Sequence, residues 1–133
     1  MRFTAKERTG LQAMVSFARR YGEGPVSLTQ VSREQGLPLP YLAHVVASLR
    51  RAGLLTSYRG VHGGYALTKS PSEVSVADVL VAIEGALIDL ECLQSDGQPC
   101  AKEDNCPTRT VMRTVADKVH DTLASTLLSD VVI

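Results

Sequence analysis

Apolar residues recur along this chain in short segments with helical spacing, each closed by glycine, proline or a capping residue. In residues 6–21, KERTGLQAMVSFARRY, Leu11, Met14, Val15 and Ala18 lie three to four positions apart, and Tyr21 follows one turn later. That spacing predicts an amphipathic helix. Gly22 and Gly24-Pro25 end it. Ser27, with Gln30 three residues on, reads as a capping box: the serine oxygen takes an orphan N–H and the glutamine reaches back. The short helix SLTQVSREQ follows and stops at Gly36. Pro40 suits the first turn of the next helix, where a missing N–H costs nothing. That helix, YLAHVVASLRRAG, is expected to close with Gly53 at its C-cap. Leu42, Val45, Val46 and Leu49 have the spacing of its buried face. Tyr41, Ala43, His44, Ser48 and Arg51 fall on the other side.

A short helix, a glycine turn and a second helix form a helix-turn-helix pattern. The outward residues then lie where a recognition helix meets base edges and phosphates. Residues 54–68, LLTSYRGVHGGYALT, alternate β-prone positions around the glycine-rich stretch Arg59-Gly60-Val61-His62-Gly63-Gly64. They predict a β-hairpin, and directly after a helix-turn-helix such a hairpin is a wing. Arg59 suits a narrow minor groove or a phosphate. His62 at the tip is placed either to touch a phosphate or to stay in solvent.

Ser75 to Asp78 open a further capped, apolar helix, VADVLVAIEG. From 108 to 128 a long stripe returns. Val111, Val115 and Val119 repeat every four residues, and Met112, Ala116, Leu123 and Leu127 extend it. A helix of that length spans about 30 Å. It exceeds what so small a domain covers alone, so it is expected to pair with a second copy. His120 reads as a surface or interface residue of this helix. The expected fold is mainly α with a small β-hairpin wing. A winged helix-turn-helix spans 1–70, a connecting helix 71–87, a cysteine loop 88–107, and a dimerisation helix with its tail 108–133.

Length and composition narrow the classes. The chain has 133 residues, 44% of them hydrophobic, with no tryptophan. One aliphatic core is expected, with no membrane-spanning run. The first residues lack the apolar core of a signal peptide, and the expected location is cytoplasmic. Net charge is zero, yet it is divided. Residues 1–70 carry ten Lys/Arg against three acids, and residues 71–133 carry four against eleven. A basic half carrying a helix-turn-helix points to double-stranded DNA. There is no Ser/His/Asp set, no phosphate loop and no HExxH motif, so an enzyme is not expected.

The three cysteines lie together: Cys92, Cys100 and Cys106, separated by seven and five residues. Three soft thiolates suit iron–sulfur clusters, zinc or copper(I). Three is an odd number, and a structural disulfide is unfavoured in a reducing compartment.

These segments together resemble the IscR/NsrR/RirA family of bacterial winged-helix regulators, many of which carry iron–sulfur clusters. The likeness rests on MRFTAKERTGLQAM, on Tyr41-Leu42, on LRRAGLL, on RGVHGGYAL, and on the cysteine loop before a long helix. The resemblance implies a homodimer and an iron–sulfur cluster held by Cys92, Cys100 and Cys106, with 2Fe–2S placed ahead of 4Fe–4S. It carries DNA contacts onto Tyr41, His44 and Ser48 in the helix and onto Arg59, Gly60 and Gly63 in the wing. Two positions depart from the pattern. IscR-like proteins place a ligating histidine where this chain has Arg109, a permanent cation that cannot ligate a metal. The first choice for a fourth ligand is Glu7 of the partner subunit's first helix, beside Arg8; an outside molecule and the loop acids Glu103 and Asp104 come next. Position 43, often glutamate in IscR-like recognition helices, is Ala43, which cannot accept from cytosine N4.

The expected function is a DNA-binding transcriptional regulator, a repressor, that senses iron–sulfur status, redox state or nitric oxide through the cluster. In the alternative, the cysteines form a thiol redox switch or a zinc site without a cluster.

Overall fold

The structure, a computed structural model, describes residues 4–85 and 107–132. Six α-helices and one two-stranded sheet follow one another among these residues: α1 Ala5–Arg19, α2 Leu28–Gln35, α3 Leu39–Arg51, β1 Leu55–Tyr58, β2 Gly64–Leu67, α4 Val76–Glu84, α5 Pro107–Ser125 and α6 Leu128–Val131. A 3₁₀ turn at Pro71–Glu73 joins the sheet to α4.

Local chemistry sets most of these boundaries. Thr4 caps α1 by accepting from the Glu7 N–H at 3.1 Å. Ser27 caps α2 by accepting from the Gln30 N–H at 3.2 Å. The reciprocal half of that expected capping box is replaced: Gln30 donates its side-chain amide to Glu34 at 3.3 Å. Gly36 ends α2 with φ at +66°, a left-handed conformation that glycine adopts without a steric penalty. At the end of α3, Ala52 is the C-cap and Gly53 lies one residue beyond it. The Gly53 and Leu54 N–H groups return to the carbonyls of Arg50 and Leu49, a Schellman closure. Ser75 and Asp78 exchange two 3.0 Å bonds and form the full capping box of α4.

The expected hairpin is present. Its strands are antiparallel, with Leu55 opposite Leu67 and Tyr58 opposite Gly64. Val26, just before α2, forms an isolated bridge to Tyr65 and so adds a third, one-residue rung.

The core gathers Ala13, Met14 and Phe17 of α1, Val31 of α2, the Leu42, Val45, Val46 and Leu49 face of α3, and Leu55 and Leu67 of the wing. It continues past residue 70 through Val74, Val79 and Ile83 and takes in Leu128. One expectation for α1 changes. Phe17 rather than Tyr21 completes its buried face, and Tyr21 is exposed because the helix has already ended at Arg19. Gly10 is where α1 meets α4, since a Cβ there would overlap Ile83 Cδ1.

The long C-terminal helix also differs from expectation. It stops at Ser125, and the chain then runs extended through Thr126 and Leu127. The Val76 N–H donates to the Thr126 carbonyl at 2.8 Å, and the Leu128 N–H to the Val74 carbonyl at 2.9 Å. Those two bonds break the helical ladder and turn Leu128 into the core, where it is fully buried. On α5 itself the stripe stays open: Val111, Met112 and Val115 are all exposed.

Candidate nucleic-acid interface

The wing adjoins the helix-turn-helix through the Val26–Tyr65 bridge, and both carry exposed basic residues. Helix α3 buries Leu42, Val45, Val46 and Leu49 and turns Pro40, Tyr41, Ala43, His44, Arg50 and Arg51 to solvent. Arg19, Arg33, Arg59 and Lys69 are exposed as well. Arg20 is already engaged. It forms a two-pronged ion pair with Glu34 of α2, with Nη1 donating to Oε2 at 2.8 Å and Nη2 to Oε1. That bond holds the Glu34 carboxyl below its usual range and the Arg20 guanidinium above its own. The pair locks the end of α1 to α2 and neutralises one of the three acids in the basic half.

Most expected contact residues are accessible, and each sits on a defined element. Tyr41 and His44 are exposed in the first half of α3, and Arg51 in its last turn. Ser48 departs from expectation. It is 8% exposed, because the helix rotates it toward the core, and its hydroxyl accepts from Arg51 Nη2 at 3.1 Å. Its place is therefore beneath Arg51, orienting that side chain, and not at the surface.

The wing tip is built by its glycines. Gly60 has φ at +108°, and the Gly63 N–H closes the turn on the Gly60 carbonyl at 3.0 Å. A Cβ at Gly63 would overlap the Tyr58 carbonyl. These two residues shape the tip that carries Arg59, Val61 and His62 outward; Val61 is 98% exposed. Tyr65 packs its ring against Phe17 with centroids 6.4 Å apart, whereas Tyr58 is exposed. The accessibility of Tyr58 and Arg50 was not evident from residue spacing. Strand alternation gives the only signal for Tyr58, and the final basic pair of α3 gives one for Arg50.

Cys92, Cys100 and Cys106 lie outside the described residues. Among the described residues no three His, Cys, Asp or Glu side chains gather where they could hold a metal ion. Glu7 stands in the first turn of α1, near Glu84 at the end of α4, and Thr4 Oγ1 donates to Glu84 Oε1 at 3.1 Å. Partial burial and the neighbouring Glu84 charge raise the Glu7 carboxyl above its usual range.

Comparison with known proteins fixes the family. Residues 3–133 match the Rrf2 family, described as iron-dependent transcriptional regulators. This chain is a member of the Rrf2 family. Among Rrf2 proteins, it is 37% identical to the HTH-type transcriptional regulator IscR of Pectobacterium carotovorum, over 99% of this chain and 79% of that one. It is 35% identical to the HTH-type transcriptional regulator CymR of Bacillus subtilis, over 98% of this chain and 88% of that one. Two solved Rrf2 structures share the fold. CymR, the global cysteine regulator of B. subtilis, superposes with a TM-score of 0.80 at 32% identity, covering 99% of this chain and 96% of that one. IscR of T. potens superposes with a TM-score of 0.78 at 33% identity, covering 98% and 85%. The protein is a transcriptional regulator of the Rrf2 family, and its relatives are regulators rather than enzymes. No helix among the described residues is long and apolar enough to cross a membrane.

Proposed function

We propose that this Rrf2 regulator binds a two-fold symmetric operator as a homodimer, and that an iron–sulfur cluster on Cys92, Cys100 and Cys106 sets its affinity. The observation that carries the DNA half of the reading is the shared exposure of the outward face of α3 and the arginine-bearing wing tip. The first would enter the major groove, and Arg59 would follow the adjacent minor groove. Tyr41, His44 and Arg51 serve the first contact, with Ser48 holding Arg51. Gly60 and Gly63 serve the second by shaping the tip.

The exposed stripe Val111, Met112 and Val115 supports pairing through α5, since a helix needs an apolar partner for such a face. In a dimer the two recognition helices would meet half-sites about one DNA turn apart.

Three thiolates suit an iron–sulfur centre, and a carboxylate such as Glu7 is an acceptable hard fourth donor where Arg109 replaces a histidine. When bound, the cluster would supply a centre that oxygen, nitric oxide or iron limitation can alter. The altered state would bias the two wings and recognition helices. By linkage, operator DNA would then shift cluster stability by the same factor. Such a dimer would act as a repressor where its operator overlaps the promoter.

Similarity to CymR, named a cysteine regulator, favours a second reading in which the same thiols form a redox switch or a zinc site. One preparation separates the two. Protein purified without oxygen is expected to be brown and to contain iron and sulfide. Colourless protein with stoichiometric zinc, or with no metal, would overturn the cluster and support the second reading.

A further inference from the structure

We infer that α3 recognises its operator chiefly through thymine methyl groups, using an apolar strip made of Pro40, Ala43 and Ala47 with Leu39 at its edge. The inference rests on the DNA-binding reading above and adds what that reading selects.

Helix geometry produces the strip. Residues three, four and seven apart share one face, and Pro40, Ala43 and Ala47 occupy such positions opposite the buried Leu42, Val45, Val46 and Leu49. Pro40 and Ala43 are exposed and Ala47 partly so. Leu39 is 41% exposed and neighbours Ala43 one turn away. None of these four side chains has a hydrogen-bond donor or acceptor.

The base-edge code turns this inventory into a preference. In the major groove, adenine is read by Asn or Gln, cytosine by Asp or Glu, and guanine by Arg or Lys. Thymine alone offers a methyl group to an apolar side chain. Helix α3 contains no Asp, Glu, Asn or Gln. Its two arginines, Arg50 and Arg51, lie in the last turn, and Arg51 is held by Ser48. The residues that reach base edges come from the N-terminal part of a recognition helix. In that part, only His44 and the Tyr41 hydroxyl can hydrogen-bond, against the three apolar groups of Leu39, Pro40 and Ala43, with Ala47 one turn further on. Methyl contact is the discrimination left to this face, with His44 able to donate to one purine.

Deoxyuridine tests the proposal, because it removes the methyl group and leaves pairing and both minor-groove acceptors intact. The full chain is first used to select duplexes from a random-sequence pool. The selected duplex is then remade with uracil at each thymine in turn, and each version is titrated with the protein. At one or more positions facing α3, uracil is expected to weaken binding about fourfold, the effect of one buried methyl-sized group at about 0.8 kcal/mol. In Ala43→Ser and Ala47→Ser proteins, shown to be folded by circular dichroism, at least one of those uracil effects is expected to disappear. A selected duplex indifferent to uracil everywhere, or uracil effects unchanged in both variants, would overturn the methyl reading while leaving DNA binding intact. Failure to enrich any sequence would overturn the DNA-binding reading itself, and the inference with it.

Discussion

Val26 and Tyr65 exchange two backbone hydrogen bonds, each 2.8 Å long, and so fasten the wing to the segment that opens the helix-turn-helix. The wing and the helix-turn-helix thus share backbone bonds as well as one core. The attachment depends on Gly64. Its φ is +150°, and a Cβ there would overlap the Val26 carbonyl. Gly64→Ala is expected to cost about 2 kcal/mol, seen as a fall of roughly 8 °C in Tm. An unchanged Tm would mean that the wing can detach without loss.

The contact of Gly10 with Ile83 predicts a compensating pair. Gly10→Ala gains about 1 kcal/mol of helix propensity but pushes its methyl group into Ile83 Cδ1. Ile83→Val removes that atom and alone should cost about 1 kcal/mol. The double variant is expected to be more stable than Ile83→Val by chemical denaturation. Additivity of the two single effects would show that α1 and α4 do not meet there.

The Arg20–Glu34 pair makes a pH prediction with a definite sign. The folded-state carboxyl of Glu34 is held below its unfolded value by Arg20. Its contribution is therefore complete above the ordinary glutamate range, and it is lost as pH falls through the lowered folded value. Both side chains are about a third exposed, so the effect is small, at most about 1 kcal/mol. Glu34→Gln should lower stability slightly at neutral pH and flatten the acid limb of the stability curve. Equal acid limbs for the two proteins would contradict it.

Arg59 leads the exposed tip of the wing. Arg59→Ala is expected to weaken operator binding by about 1–3 kcal/mol if it reads bases or groove width. A pure phosphate contact would instead lower the salt slope of binding by about one and weaken all sequences alike. Unchanged affinity and unchanged slope would remove the wing from the interface.

Much of this architecture was legible because its signals are local. Gly36, Gly53 and the Ser75–Asp78 box each act within a few residues, and each marks an element end to within one position. The alternation around Arg59 and Gly63 likewise defines the hairpin. Long-range partners explain what was missed. The apolar period of the last helix runs on through Leu127, but Thr126 gives its carbonyl to Val76, fifty residues earlier, and the helix ends there. Helical spacing puts Ser48 on the face opposite Leu42 and Val46; its hydroxyl is satisfied by Arg51, which permits burial. Tyr65 meets Val26 across the fold, a pairing that no spacing rule reports. The exposure of Tyr41, Ala43, His44 and Arg51 on α3 was legible from the helical period. The thiol site was legible only as a donor set, since Cys92, Cys100 and Cys106 fall outside the described residues.

Leu128 gives the end of the chain an architectural duty. By inserting into the core behind α1 and the 3₁₀ turn, it anchors α5 at its C-terminal root, while Pro107, next to Cys106 in sequence, begins the other end. The helix is thus a cantilever clamped to the DNA-reading head. A load applied at its cysteine-proximal end is borne at the clamp, and cutting the chain before Leu128 would remove the clamp rather than trim a tail.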